Sequence, residues 1–81
     1  MLEVQVSGTL RDAVNGAASI QIEAATIREL MNHLLEHYPD MHARIDEGVA
    51  VSINGNIFRD NWNEPIPADA EVFLMPRLAG G

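Results

Sequence analysis

Two short stretches near the start of the chain alternate apolar and polar residues with a period of two. In residues 2–7 every second residue is aliphatic, and the same alternation returns in residues 20–23. This period is typical of β-strands, whose successive side chains point to opposite faces. Residues 8–16 lie between them and are predicted to form a turn, because Asn15-Gly16 is a strong hairpin signal. The pattern therefore predicts two antiparallel strands joined by this turn.

A helical period follows the second strand. Apolar side chains fall on one helical face, while the charged and amide side chains fall on the opposite face. Thr26 and Glu29 fit a capping box, in which the threonine oxygen accepts from the Glu29 amide and the glutamate reaches back. Tyr38-Pro39 predicts the end of this helix, because proline disfavours helical geometry in the residue before it. A second, short helical segment is predicted over residues 41–46.

The second half of the chain returns to strand patterns. Residues 49–53 alternate valine and isoleucine with smaller residues, Asn54-Gly55 predicts a two-residue hairpin turn, and residues 56–59 return as a short strand. Residues 60–69 contain two prolines and are predicted to be irregular. Residues 71–75 form the last predicted strand, whose apolar residues on both faces suit a central position in a sheet.

This order of elements predicts an α+β domain. With one main helix, the simplest packing is a mixed sheet of four to five strands covered on one face, with the first and last strands paired at its centre. Residues 1–76 are assigned to this domain, and residues 77–81 to an extended and flexible C-terminal tail. The predicted core consists of aliphatic side chains from the strands and from the apolar face of the helix: Leu2, Val4, Val6, Ile20, Ile22, Ile27, Leu30, Leu34, Val51, Ile53, Val72 and Leu74.

The other face of the sheet is predicted to expose Phe73 and Met75. An apolar pair on an open face is a candidate contact patch for a partner. The alternative is that a loop, or the ring of Trp62, covers both side chains. Trp62 has two interpretations of its own, because a loop tryptophan either anchors a partner or covers the edge of a small core.

Composition limits the chemistry that these 81 residues can perform. The net charge is −7, with five arginines and no lysine, so nucleic acid is not expected as a partner, because phosphate binding needs clustered positive charge. The chain has no cysteine, which excludes disulfides, thiolate metal sites and a cysteine nucleophile. Neither a signal-peptide pattern nor an apolar run of membrane-spanning length is present, so a cytoplasmic protein with no membrane partner is expected.

One short motif suggests catalysis by a metal. His33-Leu34-Leu35-Glu36-His37 matches the H-x-x-E-H pattern of some zinc proteases. However, Glu36 lies on the polar side of the predicted helix, the histidines border that side, and a protease needs a third ligand and a substrate cleft. A solvated helix surface is the preferred interpretation, and no metal site is assigned.

The second half of the chain resembles the ubiquitin-like β-grasp sulfur carriers of the MoaD/ThiS family. Residues 49–55, Val-Ala-Val-Ser-Ile-Asn-Gly, are similar to the valine-rich strand and turn of that family. Residues 66–72 resemble the segment that leads into its last strand, although Ala68-Asp69-Ala70 lacks the usual glycine, and residues 73–81 resemble the last strand and diglycine tail. In element order and length the resemblance covers the whole chain, and it implies a β-grasp fold.

The resemblance also implies a carrier rather than an enzyme. The Gly81 carboxylate would be adenylated and then converted to a thiocarboxylate, and Gly80 would keep the tail thin because glycine has no Cβ. The implied first partner is a ubiquitin-activating-enzyme-like adenylyltransferase that uses ATP and magnesium, while the carrier itself binds no cofactor. Five extended tail residues reach roughly 17 Å, enough to enter such an active site. The residues expected to contact partners are Phe73, Met75, Pro76, Arg77, Leu78 and Ala79.

Three hypotheses about function remain after the sequence is read. The first is sulfur transfer, with molybdenum-cofactor (molybdopterin) synthesis as the first choice of pathway and the large subunit of molybdopterin synthase as acceptor. Thiamine, cysteine and siderophore sulfur transfer are alternatives within the same chemistry. The second is a protein modifier joined through Gly81 to a lysine, because Arg77-Leu78 replaces the usual Pro-Val and matches the tail of ubiquitin. The third is an interaction module with an inert tail.

Overall fold

The computed structural model of the chain describes residues 2–59 and 61–76. The elements follow the predicted order, and the predicted ends of the strands and helices are correct to within one residue. They are β1 (Leu2–Val6), a 3₁₀ helix (Gly8–Val14), β2 (Ser19–Ile22), α1 (Ile27–His37), α2 (Met41–Glu47), β3 (Val49–Ile53), β4 (Asn56–Phe58) and β5 (Val72–Pro76). Among these residues, no helix has the length and apolar character needed to cross a bilayer.

The five strands form one mixed sheet in the order β2-β1-β5-β3-β4. The first and last strands are parallel and lie side by side, with Val4 beside Val72 and Val6 beside Leu74. The other three pairings are antiparallel. The predicted mixed sheet with β5 at its centre is therefore confirmed, and the two strands at its edges are β2 and β4.

The core lies between one face of this sheet and the helices. Alternate residues of each strand point toward the helices, as the period of two requires. Every side chain predicted for the core is buried, and Val4, Val72 and Leu74 are fully excluded from solvent. The core is larger than predicted and also includes Leu10, Ala13, Val14, Met31, Met41, Val49 and Ile66.

The connection between β1 and β2 is not the simple turn that the sequence predicted. Residues Gly8–Val14 form a 3₁₀ helix, which ends where Asn15 takes a left-handed conformation with a φ of 61°. Its apolar residues Leu10 and Val14 are each only 1% exposed and belong to the core. The Asn15-Gly16 signal correctly predicted that the chain changes direction there. The 3₁₀ helix before it packs against the rest of the protein, because its aliphatic side chains reach the core.

Helix α1 begins at Thr26 through the predicted capping box. The Glu29 amide donates to Thr26 Oγ1 at 3.2 Å, and the Glu29 carboxylate accepts from the Ala25 amide at 2.9 Å, one residue earlier than the usual box. The two preceding helical amides, of Ile27 and Arg28, donate to carbonyl oxygens of the loop that follows β4. The first amides of the helix, which have no partner within the helix, are therefore all satisfied.

That loop is fixed against α1 by several contacts. The carbonyl oxygens of Trp62 and Glu64 are the acceptors for the two amides, at 2.8 and 3.0 Å. The Arg28 guanidinium lies 5.9 Å from the centre of the Trp62 ring and also donates to the Asn63 side chain. Trp62 is half-buried against the core, which agrees with its interpretation as a cover for the core edge. Its position beside α1 also shows that it does not cover Phe73 on the opposite face of the sheet.

The capping box gives a test of this local structure. Replacing Thr26 with alanine removes the oxygen that accepts from the Glu29 amide, so we expect a loss of about 1 kcal/mol in the free energy of unfolding. Glu36→Ala, on the exposed face of the same helix, is the control and should change that free energy by less than about 0.5 kcal/mol. Urea denaturation followed by circular dichroism measures both, and equal losses would contradict the capping role.

Candidate partner-binding site

Strand β5 carries different side chains on its two faces. Val72 and Leu74 point into the core, whereas Phe73 and Met75 point to the face that no helix covers. Phe73 is 37% exposed and Met75 is half-buried. The predicted exposure is therefore observed for Phe73, whereas Met75 is partly covered.

Two neighbouring strands extend this apolar surface. On β3, Ser52 lies beside Phe73 and Ala50 lies beside Met75. On β4, Ile57 lies beside Ser52 and is 56% exposed, which is the highest value for a large apolar side chain in the described residues. We call Ala50, Ser52, Ile57, Phe73 and Met75 the open-face patch.

The open-face patch has a low floor and raised sides. Ala50 and Ser52 are small and are themselves buried, at 4% and 7% exposure, because larger side chains stand on both flanks. Ile57 forms one flank, and Phe73 with Met75 forms the other. The exposed Ile57 and Phe73 side chains therefore give this face an apolar surface that suits contact with a partner.

The strand that carries the patch is fixed at the point where the tail begins. Both the Ser7 amide and Ser7 Oγ donate to the Leu74 carbonyl oxygen, at 3.1 and 3.3 Å. Pro76 pairs with Val49 on β3, and its ring lies against Gly8, where an added Cβ would be 3.6 Å from the proline Cγ. The tail residues 77–81 therefore continue from a strand end that is held on both sides.

Two carboxylates of the open face lie away from the patch. Glu3 and Glu71 are exposed, and the parallel register of β1 and β5 brings them together at the end of the sheet far from Pro76. At the end near Pro76, Arg11 donates through Nε to the Val6 carbonyl oxygen at 3.0 Å. A partner that covers the open-face patch therefore meets these two carboxylates only at the end of the sheet far from Pro76.

Several predicted site residues lie outside the described part of the chain. Arg77, Leu78, Ala79, Gly80 and Gly81 are in this group, and their roles stay predictions. Phe73, Met75 and Pro76 are brought together on β5, next to one another on the open face and at the root of the tail.

Four residues that shape this site were not predicted from the sequence. Ile57, Ala50 and Ser52 complete the patch, and Ser7 holds the tail root. Ala50 and Ser52 alternate with core residues, and Ile57 precedes Phe58, which packs against the core. The period of two therefore predicts that all three point to the open face. The hydrogen bond from Ser7 to Leu74 depends on pairing between distant strands and has no local signal.

Outside the open-face patch, the described residues include a groove and the H-x-x-E-H motif. In residues 2–59 and 61–76, no group of three or more His, Cys, Asp or Glu side chains is arranged to hold a metal ion. An open groove of about 540 Å³ lies between α1 and the start of β1 and is lined partly by Glu23, Glu29 and His33. It lies on the helix side of the sheet, away from the tail root. Glu36 of the H-x-x-E-H motif is exposed and does not face this groove.

A mixed sheet with its first and last strands paired centrally and one main helix against one face defines a ubiquitin-like β-grasp protein. The sequence matches the ThiS family over residues 4–81. The chain therefore belongs to the ThiS family, as the resemblance seen in its sequence indicated. Among curated protein sequences, none matches the chain significantly.

Solved structures share the fold at low sequence identity. SAMP1 from Haloferax volcanii is 21% identical, with a TM-score of 0.74 over 98% of this chain and 97% of its own. The Pyrococcus furiosus protein described as molybdopterin converting factor subunit 1 is 20% identical, with a TM-score of 0.77 over 94% of this chain and 95% of its own. A chain of the Amycolatopsis orientalis BexX/CysO complex is 20% identical, with a TM-score of 0.76 over 98% of both chains. These likenesses confirm the β-grasp fold.

The same substitution on the two faces of the sheet tests whether the open-face patch is needed for folding. Ile57→Thr exchanges an exposed side chain, so we expect it to change the free energy of unfolding by less than about 0.5 kcal/mol. Ile53→Thr, across the same hairpin, places a hydroxyl in the core and should cost about 2–3 kcal/mol. Urea denaturation measures both. A large loss for Ile57→Thr would mean that the patch has a structural role instead.

Proposed function

We propose that this protein is a sulfur carrier whose reactive group is the C-terminal carboxylate of Gly81. The observation that supports this most is the position of the open-face patch beside the fixed strand end from which residues 77–81 lead to the diglycine. A partner that covers the patch is thereby placed to receive the tail. This proposal treats the protein as a noncatalytic cosubstrate that acts in the cytoplasm.

The chemistry needs activation because a carboxylate is a poor acyl donor. It is ionised at neutral pH, and oxide is a bad leaving group. An activating enzyme joins the Gly81 carboxylate to the α-phosphate of ATP, which releases pyrophosphate and forms an acyl-adenylate. Hydrosulfide then attacks the acyl carbon, AMP leaves with its electron pair, and a proton is released, which gives the thiocarboxylate.

The activating partner supplies the catalytic groups for these reaction steps. The chain has no cysteine to act as a nucleophile, and no phosphate-binding loop is evident in its sequence. We therefore expect an adenylyltransferase of the ubiquitin-activating-enzyme type, with ATP and magnesium, as the first partner. The BexX/CysO complex is a precedent in which a protein with this fold is found with a second protein.

Mass spectrometry after incubation with such an adenylyltransferase, ATP, magnesium and sulfide tests the proposal. We expect an intact mass that corresponds to the exchange of one oxygen for one sulfur, located to Gly81 by fragmentation. A variant that lacks Gly80 and Gly81 is the control and should stay unchanged. The proposal would be contradicted if the intact mass of the full chain stayed unchanged while the same enzyme consumed ATP with a known carrier in a parallel reaction.

The second candidate is a protein modifier, which the residues Arg77-Leu78 and the fold of SAMP1, a small archaeal modifier protein, favour. Here a target lysine, rather than hydrosulfide, attacks the activated Gly81. Trypsin cleaves after Arg77, so a conjugate would leave Leu-Ala-Gly-Gly on the target lysine. Detection of that remnant in digests of conjugates supports the modifier, and its absence alongside a thiocarboxylate supports the carrier.

Within sulfur transfer, our first choice of pathway remains molybdopterin synthesis, with the large synthase subunit as acceptor. Thiamine, cysteine and siderophore sulfur transfer use the same carrier chemistry. The likeness to molybdopterin converting factor subunit 1 and the likeness to the CysO complex are of similar strength. Mixing the thiocarboxylate with each acceptor enzyme and following the loss of sulfur from Gly81 distinguishes the pathways.

The open-face patch gives a separate test of partner docking. Because Ile57 and Phe73 stand on opposite flanks of the patch, we expect Ile57→Thr and Phe73→Ser each to lower kcat/KM for adenylation about tenfold or more, as loss of an interface anchor does. Gln21→Ala on β2, exposed on the same face but outside the patch, is the control and should leave kcat/KM unchanged. Equal rates for all three variants would exclude the patch as the docking surface.

A further inference from the structure

Two histidines lie one above the other near the end of α1, on the side of the molecule opposite the open-face patch. His33 and His37 are four residues apart, with ring centres separated by 5.8 Å and ring planes only 11° apart. His37 is exposed and His33 is half-buried. Among the side-chain hydrogen bonds of the described residues, none involves either ring. Both imidazoles are therefore available to a ligand.

From this arrangement we infer that His33 and His37 together bind one divalent transition-metal ion of the imidazole-preferring class, Cu²⁺, Ni²⁺ or Zn²⁺. Neutral imidazole nitrogens are common ligands of these three ions. Histidines at positions i and i+4 of a helix are also the spacing at which one helix offers two nitrogens to one ion. This inference does not depend on the proposed sulfur-carrier function.

The geometry allows chelation without movement of the backbone. Side chains at this spacing have Cβ atoms about 5–6 Å apart, and each metal–nitrogen bond is about 2.0–2.1 Å long for Zn²⁺. Rotation of the two side chains therefore brings one nitrogen of each ring to a shared ion. The helix itself is held in place, because Leu34, between the two histidines, is fully buried in the core.

The local charge favours a cation at this position. The pair occupies the last turns of α1, which ends where the Tyr38 amide donates to the Leu34 carbonyl oxygen at 2.8 Å. The C-terminal end of a helix carries partial negative charge from its carbonyl groups. Glu36 is exposed next to His37, and the whole chain carries a net charge of −7. Each of these features attracts a positive ion.

The inferred site has two protein ligands. No third His, Cys, Asp or Glu among residues 2–59 and 61–76 is grouped with the pair. Water or an added ligand would fill the remaining coordination positions, which distinguishes this site from a closed structural zinc site with four protein ligands. The inference therefore concerns metal binding at the surface of α1 and assigns no proteolysis to the H-x-x-E-H motif.

Isothermal titration of the untagged chain with Cu²⁺, Ni²⁺ and Zn²⁺, in a buffer that does not bind metals, tests the site. We expect one ion per chain, with affinity highest for Cu²⁺ as the Irving–Williams order requires. His33→Gln and His37→Gln should each weaken binding about tenfold or more, because either change leaves a single ligand in place of a chelate. His42→Gln, an exposed histidine of α2, is the matched control and should bind as the unchanged chain does.

A second measurement keeps the test independent of the titration. An ion that binds only the folded chain raises its resistance to urea, so the unfolding midpoint should rise with Ni²⁺ concentration in the unchanged chain and in His42→Gln. That rise should be lost in His33→Gln and His37→Gln. The unfolding midpoints of these two variants without metal are the control that they fold. Equal binding by all four proteins, an equal loss in His42→Gln, or no saturable binding would each overturn the inference.

Discussion

The parallel pairing of β1 with β5 is the constraint on which the rest of the structure depends. It joins the start of the described chain to its end, and the entropy of closing so long a loop opposes it. Complete burial of Val4, Val72 and Leu74 at the centre of the sheet offsets that cost. Because parallel neighbours cannot be joined by a tight turn, the chain between them must cross over, and α1 makes that crossover against one face.

The same pairing accounts for the two different faces of the sheet. The helices cover one face, so the second face of the central strand is left with Phe73 and Met75 beside the small residues of β3. β1 turns away after Val6 into the 3₁₀ helix, and Ser7 then holds the Leu74 carbonyl oxygen where β5 ends. The end of β5 is therefore held in place next to an apolar surface.

Much of the fold follows from local patterns in the sequence. β1 and β2 alternate apolar and polar residues, and the helix has a capping box and a proline after its end. Asn54-Gly55 takes positive φ angles at both positions, as a two-residue hairpin turn requires. The 3₁₀ helix and the burial of Ile66 were not predicted, because neither segment has a regular spacing of apolar residues. Leu10 and Val14 become core residues only because α2 and the sheet leave space for them, and Ile66 is buried by a loop that caps α1.

By itself, the sequence determined the order and ends of the elements, the core side of each strand and the diglycine that suggests the chemistry, because each depends on neighbouring residues. Only the tertiary structure decided that Ile57 and Phe73 lie on either side of Ser52, that Ser7 and Gly8 contact the end of β5, and that Trp62 lies beside α1. These relations join residues far apart in the chain. Their cause is the pairing and packing of whole strands and helices, which no local pattern specifies.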